Sequence, residues 1–232
     1  MVNTFNIPSR LLSEIFWEAM LRNTDELIVK KNELNTYFKK LNELRANAEY
    51  NTGSISLASS WCLYNIVRYF KPIRIIEVGT FIGRSTISMA QAQDDEGIEG
   101  AEIFTCDFSN NIALPWDGKT KIHQFQKKSS TEMLKKLTGT FDFCFFDGRL
   151  AEEDLILLSK LISNKTIIAL DDFEGMEKGV INLINLKRIP MLQKYILIYP
   201  PSDEFLRRYQ FTSNALTAVM IPIEMVNFVN QG

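Results

Sequence analysis

One segment constrains the fold of this chain more than any other: Ile75-Ile76-Glu77-Val78-Gly79-Thr80-Phe81-Ile82-Gly83-Arg84-Ser85-Thr86. The apolar run from Ile73 to Val78 has the character of a strand covered on both faces. Gly79 and Gly83 then permit backbone angles, and a closeness of ligand approach, that a β-carbon would block. The helix expected from Ser85 to about Gln93 turns its free N–H groups and positive dipole end back on the turn. Strand, glycine turn and helix N-terminus in that order make a seat for a carboxylate or a phosphate.

Glu77 selects among such ligands. A carboxylate at the tip of the first strand repels a pyrophosphate and welcomes an ammonium. The spacing is E-x-G-x-x-x-G, with Phe81 where the G-x-G-x-x-G of dinucleotide folds has its second glycine. A nicotinamide oxidoreductase fails on both counts. The run Glu77 to Ser85 resembles motif I of class I S-adenosylmethionine-dependent methyltransferases. It is most similar to the O-methyltransferase branch that includes catechol O-methyltransferase and the small bacterial enzymes related to it. The competing reading is an ordinary βα turn in some other α/β protein. The resemblance implies that Glu77 holds the methionyl amine, and that Gly79, Thr80, Phe81, Gly83 and Ser85 form the cofactor's turn and helix start.

Composition narrows the alternatives. A chain of 232 residues, 46% of them hydrophobic, suits one α/β domain with a sizeable core. A net charge of −2 argues against a nucleic-acid surface. No apolar run reaches membrane-spanning length and no secretory leader is evident, so a cytoplasmic protein away from membranes is expected. Cys62, Cys106 and Cys144 stand in apolar surroundings without C-x-x-C spacing, as buried thiols rather than disulfides or zinc ligands.

Residues 1–50 read as a helical arm or lid ahead of a methyltransferase domain over 51–232. Ser9 is placed to cap a helix burying Leu12, Ile15, Phe16, Ala19 and Met20. After Asn23-Thr24-Asp25 a second helix carries Leu27, Leu34 and Leu41 seven apart, with Tyr37 and Leu44 offset between them. That seam fits a helical hairpin laid on the domain, or an exposed face through which two copies pair as a homodimer. Ser54 is expected to cap a helix from Ile55 to Phe70 that Pro72 ends. The resemblance makes Thr52 and Ser54 candidates for the cofactor's carboxylate.

Ala101 to Asp107 reads as a second strand ending in an acid. Asp107 stands where this fold, and nicotinamide folds too, hold the ribose hydroxyls. Phe108 either packs on the adenine or closes the sheet. Ile122 to Gln126 alternates as a third strand, and Lys128-Ser129-Ser130-Thr131 opens a helix. Ser129 and Ser130 are adenine contacts by resemblance or plain N-caps by chemistry. His123, the only histidine, lies inside the strand pattern and is poorly placed for a general base.

A fourth strand, Phe141 to Asp147, ends in an acid, and a helix follows from Ala151 to Ile162. A fifth strand, Thr166 to Asp172, ends in two acids. Ligands of open parallel sheets bind outside the carboxyl ends of the strands, so Asp147, Asp171 and Asp172 should converge. Two unit charges about 5 Å apart repel by about 3 kcal/mol at an effective dielectric near 20, so the cluster needs a cation, an arginine or a raised pKa. Acids at these positions in the catechol-type branch bind one Mg²⁺, and all-oxygen ligation suits that ion. A bound metal and a metal-free site stand as equal alternatives. The lysine base of that branch would fall at Leu150, and the histidine of related sugar methyltransferases at Arg149. Arg149 cannot act as a base but can neutralise the acids or hold an anionic acceptor, leaving Asp147 or Asp171 to take the proton.

A helix from Gly179 to Leu186 and strands at Tyr195–Tyr199 and Leu216–Met225 complete the pattern. The expected fold is α/β, a Rossmann-like doubly wound seven-stranded sheet, mostly parallel with an antiparallel C-terminal strand, plus the N-terminal helices. The expected function is methyl transfer from S-adenosylmethionine to an oxygen of a small acceptor, a sugar or polyol-bearing metabolite ahead of a catechol. A non-catalytic cofactor-binding or scaffold protein is the alternative that Leu150 and Arg149 keep open.

Overall fold

The computed structural model describes residues 9–20, 24–48, 53–108 and 112–230. Its centre is a seven-stranded sheet of order β3-β2-β1-β4-β5-β7-β6. The strands are β1 (Arg74–Val78), β2 (Glu102–Asp107), β3 (Lys121–Gln126), β4 (Phe141–Phe146), β5 (Ile162–Leu170), β6 (Tyr195–Ile198) and β7 (Ala218–Pro222). β7 pairs antiparallel with both β5 and β6, and every other pairing is parallel. The strand order reverses beside β1, which places the β1 and β4 tips at a topological switch point.

The central strands β1, β4 and β5 are mostly apolar because both of their faces are covered. Phe143 and Phe145 of β4 enter a core shared with α1 (Ser9–Met20), α3 (Leu57–Phe70) and α4 (Arg84–Asp95). Cys144 and Phe146 enter the opposite core, with α5 (Ser130–Leu134), α6 (Glu152–Leu161) and α7 (Lys178–Leu186). The three cysteines are free and buried. A short α8 (Asp203–Arg208), capped by Ser202, links β6 to β7.

The N-terminal helices pack into the first core. Phe16, Trp17 and Met20 of α1 and Leu34 of α2 (Thr24–Glu43) are buried there, and Trp17 Nε1 donates to the Tyr199 carbonyl at 2.9 Å. Phe38 and Leu41 of α2 cluster with Phe81, Ile82 and Ile87 at the glycine turn. Leu34 and Leu41 are therefore spent inside the monomer, and the exposed seam on which a homodimer was expected is absent among the described residues. The side chain of Leu27 lies outside them. A heptad pattern marks an apolar face but not what covers it, and here the covering surface is the chain's own domain.

Several boundaries differ from expectation, β5 beginning at Ile162 rather than Thr166 among them. α3 is capped by Ser56, whose hydroxyl accepts from Ser59 N, while Ser54 belongs to the extended lead-in. Lys71 in the left-handed conformation ends that helix one residue before Pro72. β5 stops at Leu170 because Asp172, with φ 49°, turns the chain off the sheet. β7 stops at Pro222, and the chain continues as a 3₁₀ helix over Ile223–Asn230. No helix among the described residues is long and apolar enough to cross a membrane.

Candidate functional site

The turn after β1 is fastened to both neighbouring strands. Gly79 N and Thr80 N donate to the Cys106 carbonyl at 3.0 and 3.2 Å, and Asp147 N and Gly148 N donate to the Val78 carbonyl at 2.9 and 2.8 Å. Gly79, at φ 105°, has no room for a side chain, since a β-carbon would stand 3.1 Å from Gly148 N and 3.2 Å from Asp147 Cβ. Gly83, at φ 80°, is filled over by Leu114. Both glycines thus admit close approach of the chain to itself. The turn also draws in the lead-in to α3, because Arg84 donates to the Ile55 carbonyl at 3.1 Å and to Asn42 Oδ1 of α2 at 2.7 Å.

Glu77 is fully buried in the middle of this assembly. Thr86 Oγ1 donates to Glu77 Oε2 at 2.5 Å, while Oε1 has no hydrogen-bond partner. Burial pushes its carboxyl up to about 7, against the pull of the nearby Ser85, Thr105 and Thr86 hydroxyls. An unpaired buried carboxylate oxygen is costly, and it identifies where a cationic group would be stabilised. Thr80 and Thr105 share a short hydroxyl–hydroxyl hydrogen bond beside it.

Asp107, at the tip of β2, accepts from Phe81 N at 2.7 Å and so braces the turn. Phe81 takes φ 43° and packs against α2. A narrow cleft lined by Thr80, Phe81, Asp107, Ile112, Gln124 and Gln126 opens next to it. Phe108 is 73% exposed. Ser129 caps α5 in a capping box with Glu132, and Ser130 donates to Asp154 in the first turn of α6 at 2.6 Å. Ser54 is half-buried in the α3 lead-in, and Thr52 lies outside the described residues.

Asp147, Asp171 and Asp172 converge as their strand ends require, with one oxygen of each within 4.8 Å of the others. Their counter-charge comes from Lys178, whose Nζ lies 2.7 Å from Asp147 Oδ1 and 2.8 Å from Asp172 Oδ2. Asp171 is almost fully buried and accepts from Thr217 Oγ1 at 2.7 Å. Its burial, and then the repulsion of Asp147, push its carboxyl up to about 7. Burial also raises Asp147, although Lys178 opposes the shift. Burial alone would lower the Lys178 ammonium, but Asp147 and Asp172 outweigh it and push it up.

Arg149, expected either to neutralise these acids or to hold an anionic acceptor, is exposed, and among the described residues the cluster's ion pairs come from Lys178. Leu150 is buried in the core, and its N–H donates to Asn182 Oδ1 at 3.1 Å. Asn182 Nδ2 returns a hydrogen bond to the Gly148 carbonyl at 2.8 Å. Lys178, Asn182 and Thr217 were not singled out from sequence. The available signal was the i, i+4 pair Lys178 and Asn182, two polar residues placed to share one face of a mostly apolar helix. His123 stacks on Phe104 in mid-strand, away from the strand tips.

A cavity of about 410 Å³ lies between α1 and the end of β6, with Trp17, Tyr199, Pro201 and Phe205 in its wall. Tyr199 meets Phe173, the residue after Asp172, edge-on at 6.2 Å.

Comparison with known proteins agrees with this geometry. A family model described as a methyltransferase domain matches residues 76–173. The O-methyltransferase hkm8 of Aspergillus hancockii is 32% identical over 114 residues, 44% of this chain and 43% of that protein. The chain therefore spans less than half of the length of the curated relative that it matches. The crystal structure of an O-methyltransferase from Bacillus cereus in complex with SAH superposes with a TM-score of 0.51 at 15% identity, covering 80% of this chain and 90% of the other. Residues 76–173, which hold the glycine turn and all three clustered acids, are thus the part that matches a methyltransferase domain, and the chain shares the Rossmann-like fold of the Bacillus cereus enzyme.

Proposed function

We propose that this chain transfers a methyl group from S-adenosylmethionine to a hydroxyl oxygen of a small acceptor. The observation that carries the reading is Glu77 Oε1, a buried carboxylate oxygen left without a partner under a glycine turn at the switch point of the sheet. Such an oxygen fits the methionyl ammonium of that cofactor. Asp107 at the β2 tip fits the ribose hydroxyls, and the cleft beside it runs toward the loop at Ile112. The cofactor supplies an electrophilic methyl on a sulfonium. What the chain supplies is orientation: the turn holds one reactant, and the ends of β4 and β5 receive the other.

The acid cluster stands where an acceptor hydroxyl needs a proton acceptor. Asp171 is suited to that task because burial holds its proton affinity close to neutrality. Asp147 shares its site, and Lys178 limits the charge that the pair accumulates. The aromatic wall at Tyr199 and Phe173, next to the cavity at α1, suits a small acceptor with an apolar face as well as hydroxyls. A sugar or other polyol-bearing metabolite is the acceptor class we favour, with catechols second.

The test is incubation with methyl-labelled S-adenosylmethionine and a panel of sugars, polyols and phenols. Transfer of label to an oxygen of one class supports the reading. Binding of S-adenosylhomocysteine with no transfer to any class would favour a non-catalytic cofactor-binding protein.

A further inference from the structure

We infer that the ammonium of Lys178 occupies the centre of the strand-end acid cluster in place of a divalent cation, so that the site acts without metal and engages its acceptor through single hydroxyls. The inference deepens the methyl-transfer reading, and its metal-binding test does not depend on that reading.

Three observations support it. The first is exclusion. Mg²⁺ takes oxygens at about 2.0–2.1 Å in near-octahedral geometry. An ion drawn that close to Asp147 and Asp172 would compete for the oxygens that Lys178 Nζ already holds at 2.7 and 2.8 Å, and the two cations would repel. One position serves one cation.

The second is anchoring. The backbone beneath Lys178 is fixed at its own helix start, because a β-carbon on Gly179 would stand 2.2 Å from the Asp171 carbonyl oxygen. One turn on, Asn182 ties α7 to both Gly148 and Leu150 of the loop after β4. The helix that carries the lysine is thus held against both strand ends that carry the acids.

The third is saturation. Asp147 and Asp172 are paired with Lys178, and Asp171 has its own donor in Thr217. None of their oxygens is among the buried polar atoms without a partner, in contrast to Glu77 Oε1. Each acid thus has one oxygen engaged by a donor of the fold, whereas Glu77 Oε1 has none.

A consequence for the acceptor follows. An ammonium carries three N–H donors, and two are engaged by Asp147 and Asp172. The third is free to hold one acceptor oxygen. Chelation of a vicinal diol, which needs two open positions on one ion, is not provided.

The test is Mn²⁺ titration of the full chain, with free Mn²⁺ followed by electron paramagnetic resonance, for the wild type and for Lys178→Met. The wild type is expected to retain no Mn²⁺ at about millimolar concentrations, and the variant, with three uncompensated carboxylates, to bind one ion at least about tenfold more tightly. Stoichiometric Mn²⁺ binding by the wild type overturns the inference, as does a folded variant that binds no better than the wild type. Should the variant not fold, the wild-type titration alone decides. Since no S-adenosyl compound is present, failure here leaves the methyl-transfer reading untouched.

Discussion

The first turn of α7 lies so close to the end of β5 that a β-carbon on Gly179 would stand 2.2 Å from the carbonyl oxygen of Asp171. That approach sets where Lys178 begins, and so how the acid cluster is neutralised. Gly179→Ala tests it. Alanine is the better helix former by about 1 kcal/mol, but a clash with fixed backbone costs about 1–3 kcal/mol or more. The clash should win, lowering the urea midpoint, whereas a stabilised variant would show that α7 has room to move.

Asn182 is buried and serves two backbone groups of the loop after β4. Asn182→Ala strands the Leu150 N–H and the Gly148 carbonyl, at about 1–3 kcal/mol for each group left unsatisfied. A total loss of about 2–4 kcal/mol is expected in chemical denaturation. A change under about 0.5 kcal/mol would mean that the loop is held by something else.

How much of this was legible in the sequence differs from element to element. The β1 turn was readable because an apolar strand, two glycines and a helix start stand next to one another in the chain. The convergence of Asp147, Asp171 and Asp172 was readable because strand tips of a parallel sheet share one edge. The cation that balances them was not. Arg149 was the nearest positive charge along the chain from Asp147, but Lys178 is brought in by the packing of α7 on the β5 end, which no local pattern encodes. The heptad of α2 showed an apolar face without showing its partner, and the cap expected at Ser54 falls instead at Ser56, whose hydroxyl accepts from Ser59 N.

Glu77 should give the protein a pH-dependent stability. Its carboxyl is pushed up to about 7 by burial, so the folded state binds a proton that the unfolded state has released. The stabilisation is fully present below the unfolded value near 4.5 and is lost as pH rises through about 7, with about 3 kcal/mol at stake. Glu77→Gln should flatten the melting temperature over that window. An unchanged slope would place the titration elsewhere.

The same group should couple proton release to ligand binding. An ammonium placed on Glu77 Oε1 favours the ionised carboxylate, so affinity for S-adenosylhomocysteine should rise from pH 5.5 to 7.5 by about tenfold and lose that dependence in Glu77→Gln. A flat profile in the wild type would remove Glu77 from the ammonium site.

Asp171 is the acid we assign to the acceptor side. Asp171→Asn keeps the shape and an oxygen to accept from Thr217, and removes the negative charge. Methyl transfer to the acceptor found by labelling should fall by at least about 100-fold, with affinity for S-adenosylhomocysteine within about threefold of the wild type. Full activity in the variant would transfer the role of base to Asp147.

The most direct measurement is calorimetric titration of the full chain with S-adenosylhomocysteine, beside NAD as a control. Binding of one S-adenosylhomocysteine in the micromolar range, with no heat from NAD, is the predicted result. A folded sample that binds neither, or that binds NAD, would contradict the assignment of the glycine turn and Glu77 to a methyl donor's site.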